Sequence, residues 1–497
     1  MRRRIWTRSR ALGTACAVAL ALVAPAGAQT QDSPAEEPST QAPVETFDQA
    51  FARETAAILG ELEDLAEWCG SAKLYAERDL AYQAILAFDP DHDRAHRGLK
   101  HTQLRDGTWV VPEKKLASRN YNPALLEDCR RRRGEIAGRL RERLFALLEL
   151  PGARVSREAR RRVFAAVLQV DPDEPQVRAL RGEVRRGEEW VLVETEAAAA
   201  GRERIREAVR RALALPPGLQ PSEPSPEEEQ LGVRWTAALA NEAVRVLSSG
   251  KRAEAENVAH VARAAGELVR GLLSSDVHLR EGATVYLLVN PGEAKALVDA
   301  WPELEPEMRE RIRGLTGAGI PGTPHVARWD ADPVHRLDGT VRHLVGSLLF
   351  DGFQIGLDKG WLWDGIGLYL TRELCGSRLT WYVGGVAEQD ETARRFAEGL
   401  VDPKTNWIQE AYLLLEREKA TPMCDLLRKD VSAMGLDDMV VAYAMAAWLL
   451  EGRWNDAPEL LRRVGAGEEP EQALLEALGA DCEELRERLV RWLAERR

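Results

Sequence analysis

An internal duplication constrains the fold of the first half of this chain more than any other sequence feature. The segment LAFDPDHDRAHRGLKHTQLRDGTWVV, which begins at Leu86, has a counterpart at Leu168, LQVDPDEPQVRALRGEVRRGEEWVLV. Each copy turns at Asp-Pro-Asp, where proline presets the start of a new helix, and then runs to a glycine followed closely by tryptophan. The apolar residues before each turn predict helices over 74–88 and 157–170.

Helices joined by Asp-Pro turns resemble tetratricopeptide-type repeats, and the resemblance implies a helical repeat region over residues 46–200. Two copies are fewer than a stable stack usually contains, because each repeat buries its apolar face against its neighbours. We therefore expect degenerate helices within 47–67 and 124–149 to complete the stack.

Three histidines in the first copy form a weak candidate metal site. His92, His96 and His101 lie close in sequence, and the first two are spaced to share one helix face. The second copy provides an internal control, since its equivalent residues are Glu174, Arg178 and Glu183. The repeat therefore does not require imidazoles at these positions, and a solvated polar face is the favoured interpretation.

The first 28 residues have the pattern of a signal peptide. Arginines precede an apolar run from Ala11 to Ala24, and Ala26-Gly27-Ala28 supplies the small residues that cleavage requires. We therefore expect an exported protein, periplasmic or extracellular. Residues 29–45 are rich in Pro, Gln, Ser, Thr and Glu, which predicts a disordered linker. No later stretch reaches the roughly 18 apolar residues of a spanning helix, so no membrane span is expected after cleavage.

The charge of the chain argues against a nucleic-acid partner. The formal net charge is -12, and the first 28 residues carry five arginines and no acid, so the cleaved chain would carry -17. Binding to a polyanion needs a basic surface, which a strongly acidic chain supplies only locally.

The cysteines indicate neither a disulfide scaffold nor a zinc ribbon. Beyond the predicted leader their number is odd, and no CxxC pair occurs. An oxidising compartment would permit one or two bridges, and the sequence leaves their pairing open. The five residues are Cys69, Cys129, Cys375, Cys424 and Cys482.

The middle of the chain reads as a helical connector over residues 201–275. Prolines and acids mark residues 216–229 as a Pro-rich linker. Alanine and leucine spacing then predicts helices over 233–247 and 253–273. The most convincing strand is 283–290, ATVYLLVN, where β-branched and aromatic residues end at Asn-Pro-Gly.

The second half carries a resemblance to a known family. Residues 340–374, TVRHLVGSLLFDGFQIGLDKGWLWDGIGLYLTREL, resemble the active-site helices of the peptidase MA-like gluzincin metallopeptidases. In that family a His-Glu-x-x-His helix precedes a helix of the form Trp-Leu-x-Glu-Gly-x-Ala-x-Tyr, and Trp361, Gly365 and Tyr369 match the second motif. The resemblance covers residues 276–497 and implies a zincin-like α+β domain with a small sheet, in a chain that is mainly α overall.

The same comparison implies a degenerate site. The first ligand position is His343, but the general-base position is Leu344, the second ligand position is Ser347 and the downstream glutamate is replaced by Asp364. A hydrolytic zinc generally has three protein ligands and an open position. We therefore expect no catalytic residue and no cofactor, with His343 and Asp364 as weak metal candidates.

Two functions remain open at this point. The favoured one is an exported, noncatalytic interaction protein in which helical repeats join a pseudopeptidase domain that binds peptide or protein. The alternative is an active zinc metallopeptidase with a rebuilt metal site, and its substitute residues would be Asp351, Asp358, Glu373 or His335. Aromatic residues of this region favour core packing over a binding groove. They are Trp361, Trp363, Tyr369, Trp381 and Tyr382.

Overall fold

The computed structural model describes residues 45–111, 122–150, 157–300, 304–320, 323–377, 396–400 and 405–496. The predicted signal peptide and all of the predicted linker except Glu45 lie outside these residues. The chain forms two compact units, one ending at Pro172 and the other starting at Asp173. The described part is mainly helical with a small mixed sheet, which confirms the mainly α class. None of its helices combines the length and apolar character needed to cross a membrane.

The first unit is a stack of helices with one small hairpin. Thr46 and Gln49 form a capping box that starts the first helix, and Asn122 caps the long helix that begins with Pro123. Its helices are α1 (Phe47–Ala57), α2 (Leu59–Ser71), α3 (Tyr75–Phe88), α4 (Asp93–Gly98), α5 (Pro123–Leu147) and α6 (Arg157–Val170), and its strands are β1 (Thr102–Gln103) and β2 (Trp109–Val110). Both helices predicted before the turns are thus confirmed.

The two duplicated segments have the same local structure. Each long helix leads through the Asp-Pro turn into a six-residue helix and then a β-hairpin. Gly107 and Gly187 occupy the hairpin tips with φ of +90° and +63°, a conformation that favours glycine. The segment after each turn is therefore a short helix and a hairpin, not a second long helix. The boundary between the units falls inside the predicted repeat region of residues 46–200.

The second unit contains a six-stranded sheet in the order β5-β6-β7-β8-β10-β9. The central strands β7, β8 and β10 are parallel, and the outer pairs are antiparallel. Apolar residues cover both of its faces. The strands are β3 (Glu183–Arg186) and β4 (Glu189–Leu192), which form the second hairpin, and β5 (Gln220–Pro221), β6 (Ala237–Ala240), β7 (Arg245–Ser248), β8 (Thr284–Leu287), β9 (Gly317–Gly319) and β10 (Val326–Arg328).

Helices make up the rest of the second unit. The helix predicted over 253–273 is confirmed as α10 (Arg252–Leu272), and the strand predicted over 283–290 is confirmed as β8 (Thr284–Leu287). The helices are α7 (Pro175–Leu180), α8 (Val193–Leu213), α9 (Pro226–Glu229), α10 (Arg252–Leu272), α11 (Pro291–Asp299), α12 (Pro306–Arg313), α13 (Pro333–Phe353), α14 (Gly360–Cys375), α15 (Trp407–Glu416), α16 (Met423–Leu426), α17 (Leu436–Gly452), α18 (Ala457–Gly465), α19 (Pro470–Leu478) and α20 (Cys482–Ala494).

The helix predicted over 233–247 is wrong, because this segment forms the β6–β7 hairpin. The Asn241 side chain accepts hydrogen bonds from the N–H groups of Ala243 and Val244 at 2.9 and 3.0 Å, which turns the chain. On β6, Ala237 and Leu239 are buried and alternate with less buried residues, as in a strand with one face in the core.

The predicted Pro-rich linker 216–229 is also an ordered part of the sheet domain. Its residues form β5 and α9, and Ser225 caps α9 in a capping box with Glu228. The Glu228 carboxylate is buried, accepts from the Arg245 guanidinium and accepts from the Tyr286 hydroxyl at 2.8 Å. Three strands of the sheet therefore lie in the segment predicted as a helical connector.

Helices α13 and α14 carry the motif residues, and α10 packs beside them on the sheet. Helix α10 packs on β6 and β7, α13 packs on β9 and β10, and α14 lies between α13 and α17. The approach of α14 to α17 is close, since a Cβ on Gly365 would lie 2.5 Å from the Ala442 carbonyl oxygen. Trp361, Trp363 and Tyr369 are buried, which confirms their core assignment. Trp381 and Tyr382 lie outside the described residues.

Candidate functional site

The two motif segments form neighbouring helices. Asp332 caps the start of α13, and Gln354, with φ of +60°, follows its last residue. Gly376 follows the last residue of α14 in the same left-handed conformation. Helix α13 packs on both α14 and β9, so the side chains of the two motifs meet beside the β9 edge of the sheet.

His343 lies against the edge strand. A Cβ on Gly319 would lie 2.3 Å from the imidazole Cε1, so only glycine leaves room for this ring. The Trp363 indole approaches the imidazole edge-on, with ring centroids 6.1 Å apart. Burial, reinforced by the positive charges of Arg328 and Arg342, lowers the pKa of His343 to about 3. The ring is therefore neutral at physiological pH.

Asp364 pairs with an arginine. Its side chain is 0% exposed and forms an ion pair with Arg342, whose side chain is 13% exposed. Burial raises the pKa of Asp364, while the Arg342 guanidinium opposes this shift through its charge and a hydrogen bond. The cation beside the carboxylate of the second motif is thus a side chain of the same protein.

The other two motif positions, Leu344 and Ser347, hold side chains without a carboxylate or an imidazole. Leu344 is 1% exposed and packs with Val246, Val285 and Val326 of the sheet. A carboxylate at this position would therefore lie in the apolar core. Ser347 is half-buried on the same helix.

A second arginine, Arg328 on β10, was not identified from the sequence. It is 5% exposed, and its guanidinium donates a 2.5 Å hydrogen bond to the Gly339 carbonyl oxygen on α13. Burial, together with the charge of Arg342, lowers the pKa of Arg328 to about 9. A Cβ on Gly317 would lie 2.5 Å from Arg328 Cδ. The glycines of Gly-Ala-Gly in β9 therefore make room for one arginine and one histidine.

Asp338 is a further titratable group on α13 that the sequence did not single out. It is buried and accepts a hydrogen bond from the Ser377 hydroxyl. Burial raises the pKa of Asp338 to about 6, and the Ser377 hydroxyl opposes this shift. Two of the four substitute residues of the alternative hypothesis have other partners, since Asp351 pairs with Arg280 at 2.7 Å and Asp358 with Lys359 at 2.9 Å.

The three candidate histidines of the first copy have structural roles. His92 caps α4 and contacts Glu63 at 3.0 Å, whereas His96 hydrogen-bonds to His101 at 2.8 Å and stacks on Trp109. The second copy reproduces this arrangement with other residues. Glu174 caps α7, Arg178 pairs with Glu183, and the Arg178 guanidinium lies 5.8 Å from the Trp190 ring centroid.

One group of potential metal ligands occurs where the sequence predicted none. The Cys424 and Cys482 thiols and the Glu471 carboxylate have ligand atoms within 4.8 Å of one another. The Arg428 guanidinium already pairs with Glu471 at 2.8 Å. Across the described part of the chain this is the only such group of three, so neither His343 with Asp364 nor the three histidines belongs to one.

Comparison with known proteins adds no relative. No protein-family model, no curated protein and no solved structure matches this chain. The functional conclusion therefore rests on the geometry of the arginine, histidine and aspartate around α13 and α14.

Proposed function

We propose that this chain is an exported, noncatalytic interaction protein whose second unit is a pseudopeptidase domain that binds extended peptide. The observation that carries the proposal is the ion pair between Arg342 and Asp364. A guanidinium supplies, beside the only carboxylate of the second motif, the positive charge that a metal would supply in an active gluzincin.

The electrostatics favour this assignment over hydrolysis. A divalent cation at His343 would lie near the positive charges of Arg328 and Arg342, both of which already lower the pKa of the imidazole. General-base catalysis contributes roughly a hundredfold to ten-thousandfold, and Leu344 supplies no base. Binding without turnover is the activity that these residues leave open.

The edge strand β9 offers a binding mode for a peptide. The Ile320 N–H donates to the His325 carbonyl oxygen at 2.8 Å, and the Trp329 N–H donates to the Thr316 carbonyl oxygen at 2.9 Å. In an antiparallel pair, only every second residue exchanges hydrogen bonds with the partner strand. The N–H and C=O groups of Gly317 and Gly319 therefore point away from β10. A peptide that adds to this edge would pass beside His343 and gain main-chain hydrogen bonds.

Fluorescence anisotropy and a cleavage assay on the same labelled peptide library test the proposal. We expect saturable binding of some peptides and no cleavage, with or without added zinc. Methylation of alternate peptide nitrogens should abolish binding in one register, and methylation in the other register is the matched control. Cleavage that a chelator stops would overturn the proposal in favour of a rebuilt metallopeptidase. Absence of binding across the library would also overturn it.

A further inference from the structure

Two cysteines of the first unit contact each other directly. The Cys69 and Cys129 sulfur atoms are 3.5 Å apart, and both residues are buried, with 0% and 2% exposure. Cys69 lies on α2 and Cys129 on α5, which pack together. The sequence left the pairing of five cysteines open, and this contact selects one pair.

We propose that Cys69 and Cys129 are a disulfide-forming pair that cross-links α2 to α5 when the protein meets a disulfide oxidant. A disulfide requires sulfur atoms about 2.05 Å apart, so the two sulfurs must approach by about 1.5 Å. Side-chain rotation and a small adjustment of two neighbouring helices supply a movement of this size.

The surroundings assign different roles to the two thiols. The sulfur–sulfur contact with Cys69 lowers the pKa of Cys129, which favours the Cys129 thiolate, and the Arg133 guanidinium acts in the same direction. The same contact and burial raise the pKa of Cys69. Cys129 also lines a cavity of about 130 Å³.

The reaction is thiol–disulfide exchange with a small disulfide such as glutathione disulfide. The Cys129 thiolate attacks one sulfur of the oxidant, which breaks its S–S bond and releases one thiolate that takes up a proton. Cys69 then loses its proton and attacks the Cys129 sulfur of the mixed disulfide, releasing the second thiol. Two protein thiols are oxidised and one oxidant disulfide is reduced to two thiols.

Peptide mapping of the purified full chain tests this pairing without relying on export or peptide binding. After treatment with glutathione disulfide and alkylation of the remaining thiols, trypsin should release ETAAILGELEDLAEWCGSAK linked to NYNPALLEDCR. Wild-type protein alone gives this result, so the test does not depend on whether a variant folds. Free, alkylated Cys69 and Cys129 after prolonged treatment would overturn the proposal. Stable glutathione adducts or links to other cysteines would do the same.

Thermal unfolding gives a second readout. Closing a loop of about 60 residues should raise the melting temperature of the oxidised protein over the reduced protein by roughly 10 °C. Cys69→Ala should remove this shift, and Cys375→Ser, which changes a cysteine outside the pair, should retain it. An equal shift in Cys69→Ala would show that another bond is responsible and would refute the assignment.

Discussion

Removal of the Arg342 guanidinium should destabilise the protein in a pH-dependent way. In Arg342→Met the fully buried Asp364 loses the cation that favours its ionised form, so the folded variant should hold this carboxyl protonated. The unfolded chain has a carboxyl pKa near 4, so holding the carboxyl protonated at pH 7 costs about 3 pH units at about 1.4 kcal/mol each, or about 4 kcal/mol. Because burial raises the pKa of Asp364 even beside Arg342, the wild-type protein already carries part of this cost, and about 4 kcal/mol is the upper limit of the loss. This agrees with the roughly 3–5 kcal/mol measured when one partner of a buried pair is removed.

The loss of stability in Arg342→Met should decrease as the pH falls. A carboxyl whose folded pKa is raised stabilises the fold below its unfolded pKa, and this stability is lost as pH rises towards the folded pKa. The penalty in Arg342→Met should therefore shrink by about 1.4 kcal/mol for each pH unit between pH 7 and pH 4.

Urea unfolding followed by tryptophan fluorescence measures this effect. The double variant Arg342→Met, Asp364→Asn should lose the pH dependence and recover part of the stability, because no carboxyl remains buried. Arg211→Met, at an arginine that is 71% exposed, is the matched control and should change stability by less than about 0.5 kcal/mol. A penalty below about 1 kcal/mol at pH 7, or one independent of pH, would refute the reasoning.

Three further predictions follow from the packing. Gly319→Ala should cost about 1–3 kcal/mol because its Cβ meets the half-buried His343 imidazole. Gly271→Ala, whose Cβ meets nothing within 4 Å, should stabilise α10 by about 0.5–1 kcal/mol in urea unfolding. Glu228→Gln should cost about 2–3 kcal/mol in thermal unfolding because the buried Glu228 carboxylate accepts hydrogen bonds from Arg245 and Tyr286 of the sheet. An unchanged melting temperature would contradict this. Replacing His96 by Arg and His101 by Glu together, as in the second copy, should change stability by less than about 1 kcal/mol, while a much larger loss would disprove the equivalence.

Local signals in the sequence predicted much of the helical structure. The Asp-Pro turns and apolar spacing identified α3 and α6, and the β-branched residues before Asn-Pro-Gly identified β8. The failure lies at residues 233–247, where alanine and leucine are good helix formers but tertiary pairing with β8 decides the outcome. No local pattern reports that β7 will have a parallel neighbour.

The site was predictable in position but not in chemistry. The motif spacing placed His343 and Asp364 on two helices, and the structure shows that these helices are adjacent. The motif did not identify the two arginines, because Arg342 is not one of its positions and Arg328 lies on a strand fifteen residues before His343. The alternate glycines of Gly317-Ala318-Gly319 were the available signal, since each leaves space that a bulky polar side chain fills.

Metal content is the most direct test of the central proposal that an arginine, and not a metal ion, is the cation beside Asp364. Elemental analysis of the purified protein after equilibration with zinc and dialysis should give a zinc content that is unchanged by His343→Ala. A Cys424→Ser variant accounts for zinc bound at the cysteine and glutamate group. Close to one zinc per chain, retained in Cys424→Ser and lost in His343→Ala, would contradict the account.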